Sequence, residues 1–149
     1  MPSNNSTRPP DPLLGCRFLV EIQGLSLAGF TEVSGLSVEI ETETYIEGGE
    51  NRLVHILPKN TKYEKILLKK GVIHGQNDIW DWFQGVVDGA IVQINLAILL
   101  LNPDGSTACR WDVEKALPVK WEGSQLTGKS GEIFIETLTL EHQGFKKSS

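Results

Sequence analysis

An alternation of period two fills nearly all of this chain and breaks only once, and that pattern constrains the fold more than any other feature. In IVQINLAILLL, residues Val92, Ile94, Leu96, Ile98 and Leu100 form one wholly apolar face. The opposite face begins with Gln93, Asn95 and Ala97 and turns apolar at Leu99 and Leu101. Such a strand lies partly between two layers. Extended segments also read at CRFLVEIQG (16–24), the acidic strand 36–46, RLVHILP (52–58), KILLKKGVI (65–73), TACRWDV (107–113), ALPVKWEG (116–123) and EIFIETLTLEHQGF (132–145). Turn signals stand at Gly29, Ser34-Gly35 and NPDGS, and Pro118 marks an edge or a bulge. The break is QNDIWDWFQGVVDGA, where Ile79, Phe83, Val86 and Val87 share a helical face widened by Trp80 and Trp82. Asn77 or Asp78 caps this helix and Gly89 stops it. The count is seven or eight strands and one helix. The class is mainly β, a β-sandwich or β-barrel-like domain with a flanking α-helix. Trp80, Trp82 and Phe83 are assigned to packing that outer helix on the sheet.

A chain of 149 residues suits one domain with a core of its own. Residues 1–12 hold four prolines among Ser, Asn and Thr and read as a flexible N-terminal arm, leaving 13–149 as a single domain. A net charge of −5 argues against a nucleic-acid backbone binder, so no nucleic-acid-specific site is expected. The N-terminus shows no apolar signal region, and the run Ala97 to Leu101 is too short to span a bilayer, so no membrane segment is expected. Synthesis in the cytoplasm follows as an expectation. Cys16 and Cys109 read as small hydrophobes in strands rather than as a disulfide or a zinc framework.

The segment SVEIETETYIEGGEN carries Glu39, Glu41, Glu43, Glu47 and Glu50 and no basic residue. On a strand Glu39, Glu41 and Glu43 project to one side about 6.6–6.8 Å apart, which does not converge on a cation. Nor do neighbours on one strand face each other across a cleft, as paired hydrolytic carboxylates must. His55, His74 and His142 are scattered, and no nucleotide-cradling or nucleophile motif occurs. Catalytic, cofactor-binding and metal sites are therefore expected to be none. The informative feature is a second charge block, Lys59, Lys62, Lys65, Lys69 and Lys70 against a single Glu64. The bland reading is a patchy solvated surface. The sharper one is an acidic block of one copy meeting a basic block of another, a head-to-tail contact that closes into rings or runs on as filaments. The alternative from another class is a monomeric β-sandwich ligand-binding module, which needs an exposed aromatic platform.

The run DPLLGCRFLVEIQGLSLAGFTEVSGLSVEIETETYIEGGENRLVHILP, then KYEKILLKKG, DIWDWFQGVVDG, NPDGS and ALPVKWEG, resembles the tail tube proteins of contractile phage tails. It is most similar to the inner-tube subunits of phage-like extracellular contractile injection systems, from about Asp11 to Phe145. The resemblance implies a non-enzymatic structural subunit that forms hexameric rings, stacked into a hollow tube whose lumen can pass cargo. It implies a sheath protein around that tube, a baseplate and spike at one end and a cap at the other. It implies a place in a released or anchored tail-like particle.

Carried onto these residues, the resemblance assigns Glu39, Glu41 and Glu43 to a wet lumen or its rim, with Val38 and Ile40 turned to the core. It makes the excursion from Tyr45 to Tyr63 the ring-stacking loop, with Glu47, Gly48, Gly49, Glu50, Arg52, Lys59 and Lys62 as its contact residues. The polar side of the helix, Asp78, Asp81, Gln84 and Asp88, faces the sheath in this scheme. Without a large insertion, the chain reads as the main repeating subunit rather than a baseplate adaptor.

Overall fold

The computed structural model describes residues 17–22, 25–27, 30–46, 54–72, 75, 77–90, 93–126, 128 and 133–148. Ten strands and one helix occur among them, in the order β1 (Arg17–Ile22), β2 (Leu25–Leu27), β3 (Phe30–Ser34), β4 (Val38–Ile46), β5 (Val54–Tyr63), β6 (Ile66–Gly71), α1 (Asp78–Val87), β7 (Ile94–Leu101), β8 (Thr107–Gly123), β9 (Ile135–Glu141) and β10 (Phe145–Ser148). The number exceeds the seven or eight expected because β2 and β10 have three and four residues, too few to show a period of their own.

Eight strands form one antiparallel sheet in the order β2-β1-β7-β8-β9-β6-β3, with β10 beside β8. This sheet folds over on itself at two places. One is β8, which pairs β7 and β10 through its first half and β9 through its second. TACRWDV and ALPVKWEG are therefore one 17-residue strand, not two. It bends at Lys115, whose φ of 51° is left-handed, and the Lys115 amide donates to Asn95 Oδ1 at 2.9 Å. The other place is the passage from β2, paired with β1, to β3, paired with β6, and Cα atoms of β1 and β3 come within 8 Å of each other. The result is a flattened barrel. Pro118 sits at a register shift inside β8, the bulge that its missing N–H requires.

The barrel interior takes the apolar face of each strand. Val20, Ile98 and Val113 come from one side and Ile66, Leu68, Leu138 and Leu140 from the other, all fully buried. Strand β7 behaves as its pattern demands. Leu96, Ile98 and Leu100 are buried inside, while Ala97 is also covered and Leu99 half-covered on the outer face. The turn after it forms as expected, with the Gly105 amide donating to the Asn102 carbonyl at 2.9 Å and Pro103 at the position that presets φ.

Helix α1 packs on β8 through Ile79, its one buried residue. Asn77 is the N-cap residue but makes no side-chain cap bond. At the other end the Gly89 amide reaches the Val86 carbonyl (3.0 Å) and the Ala90 amide the Gly85 carbonyl (2.9 Å). With Gly89 at φ 98°, this is a Schellman stop, as the sequence predicts. Trp82 and Phe83 are half-buried against the core. Trp80 is not buried under the helix as expected. It remains 41 % exposed and rests edge-on against Trp121, with ring centroids 5.0 Å apart.

Candidate functional site

Strands β4 and β5 take no part in the barrel. They pair only with each other, from Val38↔Tyr63 at the base to Ile46↔Val54 at the outer end. Every residue of β4 is exposed, and so is every residue of β5 except the half-buried Tyr63. At about 3.3 Å per residue, nine residues make a ribbon roughly 27 Å long. Its two faces differ. One face carries Val38, Ile40, Thr42, Thr44 and Ile46 opposite Tyr63, Thr61, Pro58, Ile56 and Val54. The other carries Glu39, Glu43 and Tyr45 opposite Lys62, Leu57 and His55.

This placement corrects two expectations. Val38 and Ile40 do not face the core of their own chain. They are 52 % and 56 % exposed, because β4 has no second layer beneath it. The acidic and basic blocks also meet within one chain. Glu39 lies in register with Lys62, and Lys59 Nζ is 3.8 Å from Glu43. Both partners of that ion pair are half-exposed, so water screens it and it contributes little. RLVHILP does not stop at Pro58 either. Strand β5 runs through it to Tyr63, with a register shift beside it, and a ribbon paired on one side only can leave a proline unpaired on the other. Glu41 is exposed like Glu39 and Glu43. Glu47, Gly48, Gly49, Glu50 and Arg52 lie outside the described residues.

The base of the ribbon is anchored. The Tyr63 ring sits edge-to-face on Phe145 (5.3 Å) and His142 (5.7 Å). The Gly144 amide donates to His142 Nδ1 at 3.1 Å, which leaves Nε2 to carry the proton and donate to the Glu64 carbonyl at 2.8 Å. Lys65 pairs with Glu141 beside it (3.4 Å). A backbone bond from Glu64 N to Ser37 O closes the ribbon across its root at 3.3 Å. No sequence signal marked His142 for this post, since its partners are 78 residues away and on its own turn.

A second polar surface lies on the outer face of β1, β7 and β8. An open depression of about 570 Å³ is lined by Glu21, Asn95, Ala97, Arg110, Asp112 and Glu114. Arg110 spans it, with Nε 2.9 Å from Asp112 and Nη1 3.2 Å from Glu21. The hydrogen bond from Arg110 holds the Asp112 carboxyl below its usual range, and the Ser148 hydroxyl adds a second (2.9 Å). A depressed carboxylate stabilises the fold above its unfolded pKa and loses that contribution as pH falls through the folded value. Acid titration of the melting temperature should therefore show a small loss below the ordinary aspartate range, absent in Asp112→Asn. Because both side chains are substantially exposed, the pair contributes about 0.2–1 kcal/mol. Among the described residues no group of three or more His, Cys, Asp or Glu is placed to hold a metal ion.

The arrangement is a barrel with a long two-faced ribbon standing off it, and the chain as a whole is similar to known proteins. The sequence matches the T4-like virus tail tube protein gp19 family over residues 14–146. This chain belongs to that family. It is a structural tail tube subunit. A chain in the anti-feeding prophage baseplate structure is 28 % identical, with a TM-score of 0.81 over 93 % of this chain and 97 % of that one. A chain in the sheath-tube complex of an extracellular contractile injection system (PVC, extended state) superposes with a TM-score of 0.82 at 24 % identity, covering 93 % and 92 %. Hcp1 from Flavobacterium johnsoniae shares the fold alone, at 14 % identity and a TM-score of 0.60 over 89 % and 94 %. A comparison with curated protein sequences finds no match. In the tail tube subunit no helix is long and apolar enough to cross a membrane, among the described residues.

Proposed function

We propose that copies of this tail tube subunit join into hexameric rings, and that the rings stack into a hollow tube through the β4–β5 ribbon. The observation that carries the reading is the ribbon itself. Two strands alone are marginal in water, and this pair also exposes Val38, Ile40, Ile46, Val54 and Ile56 at 52–67 %. A ribbon of that kind is completed by another copy. Glu39, Glu41 and Glu43 on its polar face line the lumen or its rim, where water solvates them and they repel acidic cargo. Tube assembly without catalysis is the role, and membership of a structural family supports it. The relatives' structures include a baseplate, a cap and a sheath-tube complex, which supports the same partners here. The exposed acids of α1, Asp78, Asp81 and Asp88, are the proposed surface toward the sheath. Made in the cytoplasm, the subunit then becomes part of an assembled particle.

Light scattering after size-exclusion chromatography, at low and high salt, followed by negative-stain imaging, tests this. Hexameric rings or hollow tubes are the expected species, with stacking weakened by salt. A chain that stays monomeric at every concentration, and joins no tube when baseplate components are supplied, would overturn hexameric rings stacked through the ribbon.

A further inference from the structure

The ribbon is fastened to the barrel through a histidine that uses both of its ring nitrogens. His142 follows β9, with its Nδ1 accepting from the Gly144 amide (3.1 Å) and its Nε2 donating to the Glu64 carbonyl (2.8 Å). A neutral imidazole offers one acceptor and one donor, and an imidazolium offers two donors and no acceptor. Protonation therefore turns an N–H against the Gly144 N–H, while the bond to Glu64 becomes charge-assisted and stronger.

Gly144 has no freedom to yield. It is buried at φ 130°, and a Cβ built on it would lie 3.1 Å from the Tyr63 ring. Its carbonyl accepts from the Glu114 amide (2.9 Å), and the Gln143 amide bonds the Glu114 carbonyl (2.9 Å), so β8 grips the turn from both sides. Glu64 is held less firmly. It is exposed, at the root of a ribbon whose strands pair only with each other among the described residues. The conflict is relieved on the ribbon side.

We infer that His142 is a pH-sensitive latch between the ribbon's root and the barrel. Neutral, it ties Glu64 to the turn between β9 and β10. Protonated, it keeps Glu64 and releases the turn. Histidine ordinarily changes charge between about pH 5 and 8. The other charged and titratable groups around the ring come from every element packed there. Tyr63 ends β5, Glu64 and Lys65 lead into β6, and Glu141 ends β9. Glu114 on β8 grips the turn, and Lys146 follows Phe145 on β10. Lys65 is paired with Glu141 at 3.4 Å, which offsets its charge. Glu64 and Glu114 are exposed carboxylates that favour a charged ring and are screened by water. Carboxylates, lysines and tyrosines ordinarily titrate outside the histidine window, so the ring is the group that changes there. The latch acts within one copy of the chain, and its failure would leave the tube reading untouched.

Hydrogen exchange of the full chain at about pH 5 and about pH 8 tests this, in one assembly state matched by light scattering. The readout is the peptide covering Gly144, after division by the intrinsic exchange rate. Wild type should exchange about fivefold faster at the lower pH, the equivalent of one ordinary hydrogen bond. His142→Asn keeps a side-chain carbonyl that accepts from the amide two residues on and does not titrate, so it should be protected equally at both values. His142→Phe keeps a ring against Tyr63 and Phe145 without an acceptor, and should exchange fast at both. Equal protection in wild type at the two values would overturn the inference. So would a pH dependence that survives in His142→Asn, which would assign it to another group. Imidazole nitrogen NMR shifts of the wild type need no variant. They should place the proton on Nε2 at about pH 8, and a proton on Nδ1 there would also overturn the latch.

Discussion

Gly35→Ala is expected to lower the melting temperature by about 10 °C and to misdirect the ribbon in whatever chain still folds. Gly35 lies between β3 and β4, where the chain leaves the barrel, with φ +88°. A Cβ built there would sit 1.9 Å from the Lys65 carbonyl oxygen. Holding a non-glycine residue in the left-handed region costs about 1–2 kcal/mol. Forcing the overlap apart costs about 1–3 kcal/mol more, because the obstacle is backbone and cannot rotate away. For a domain of this size each kcal/mol corresponds to roughly 2–4 °C. The same turn holds the ribbon's root, since the Ser37 amide bonds the Gly35 carbonyl at 2.8 Å. Thermal melts beside Gly85→Ala decide it. Gly85 lies inside α1 with open space around it, so alanine there should stabilise by about 0.5–1 kcal/mol. If both alanines prove harmless, the described geometry at Gly35 is wrong.

Trp121→Ala should destabilise by about 3–5 kcal/mol, the range for deleting a large aromatic from a core. Its ring packs on the core and meets Trp80 edge-on, so it is part of the bed on which α1 lies. Its indole N–H also donates to Glu136 Oε2 at 3.0 Å, and Glu136 is only 8 % exposed. Trp121→Phe separates the two losses. It keeps an aromatic body and removes the donor, at a cost of about 1–3 kcal/mol for the acceptor left unpaired. The neighbouring Trp82→Phe should behave in the opposite way. Its indole nitrogen is buried with no hydrogen-bond partner among the described residues, so removing it should be neutral or slightly stabilising. Denaturant melts of the three variants check the order. A Trp82→Phe loss as large as that of Trp121→Phe would mean that its N–H has an acceptor in solution.

Much of the barrel could be read from the residues because its determinants are local. Alternation in 91–101, a helical period in 78–87, a proline-glycine turn at 102–106 and a glycine stop at 89 each act within one or two turns of chain. The long β8 could not be read as one strand. Its continuity depends on Lys115 accepting a left-handed conformation against Asn95, a contact 20 residues away. The His142–Glu64 and Arg110–Glu21 contacts escaped notice for the same reason, since a partner across the fold leaves no local mark.

The ribbon marks the division most clearly. The sequence by itself determined that 38–46 is an extended segment with apolar residues on one side and glutamates on the other, because side-chain alternation belongs to a strand wherever it lies. It determined the family too, through motifs kept in order along the chain. Only the tertiary structure decided that this strand has no layer beneath it and that the lysine segment lies beside it. It also decided that Val38 and Ile40 are exposed where the same alternation elsewhere faces the core. Burial depends on what packs against a face, and the alternation is the same whether or not a layer lies beneath it.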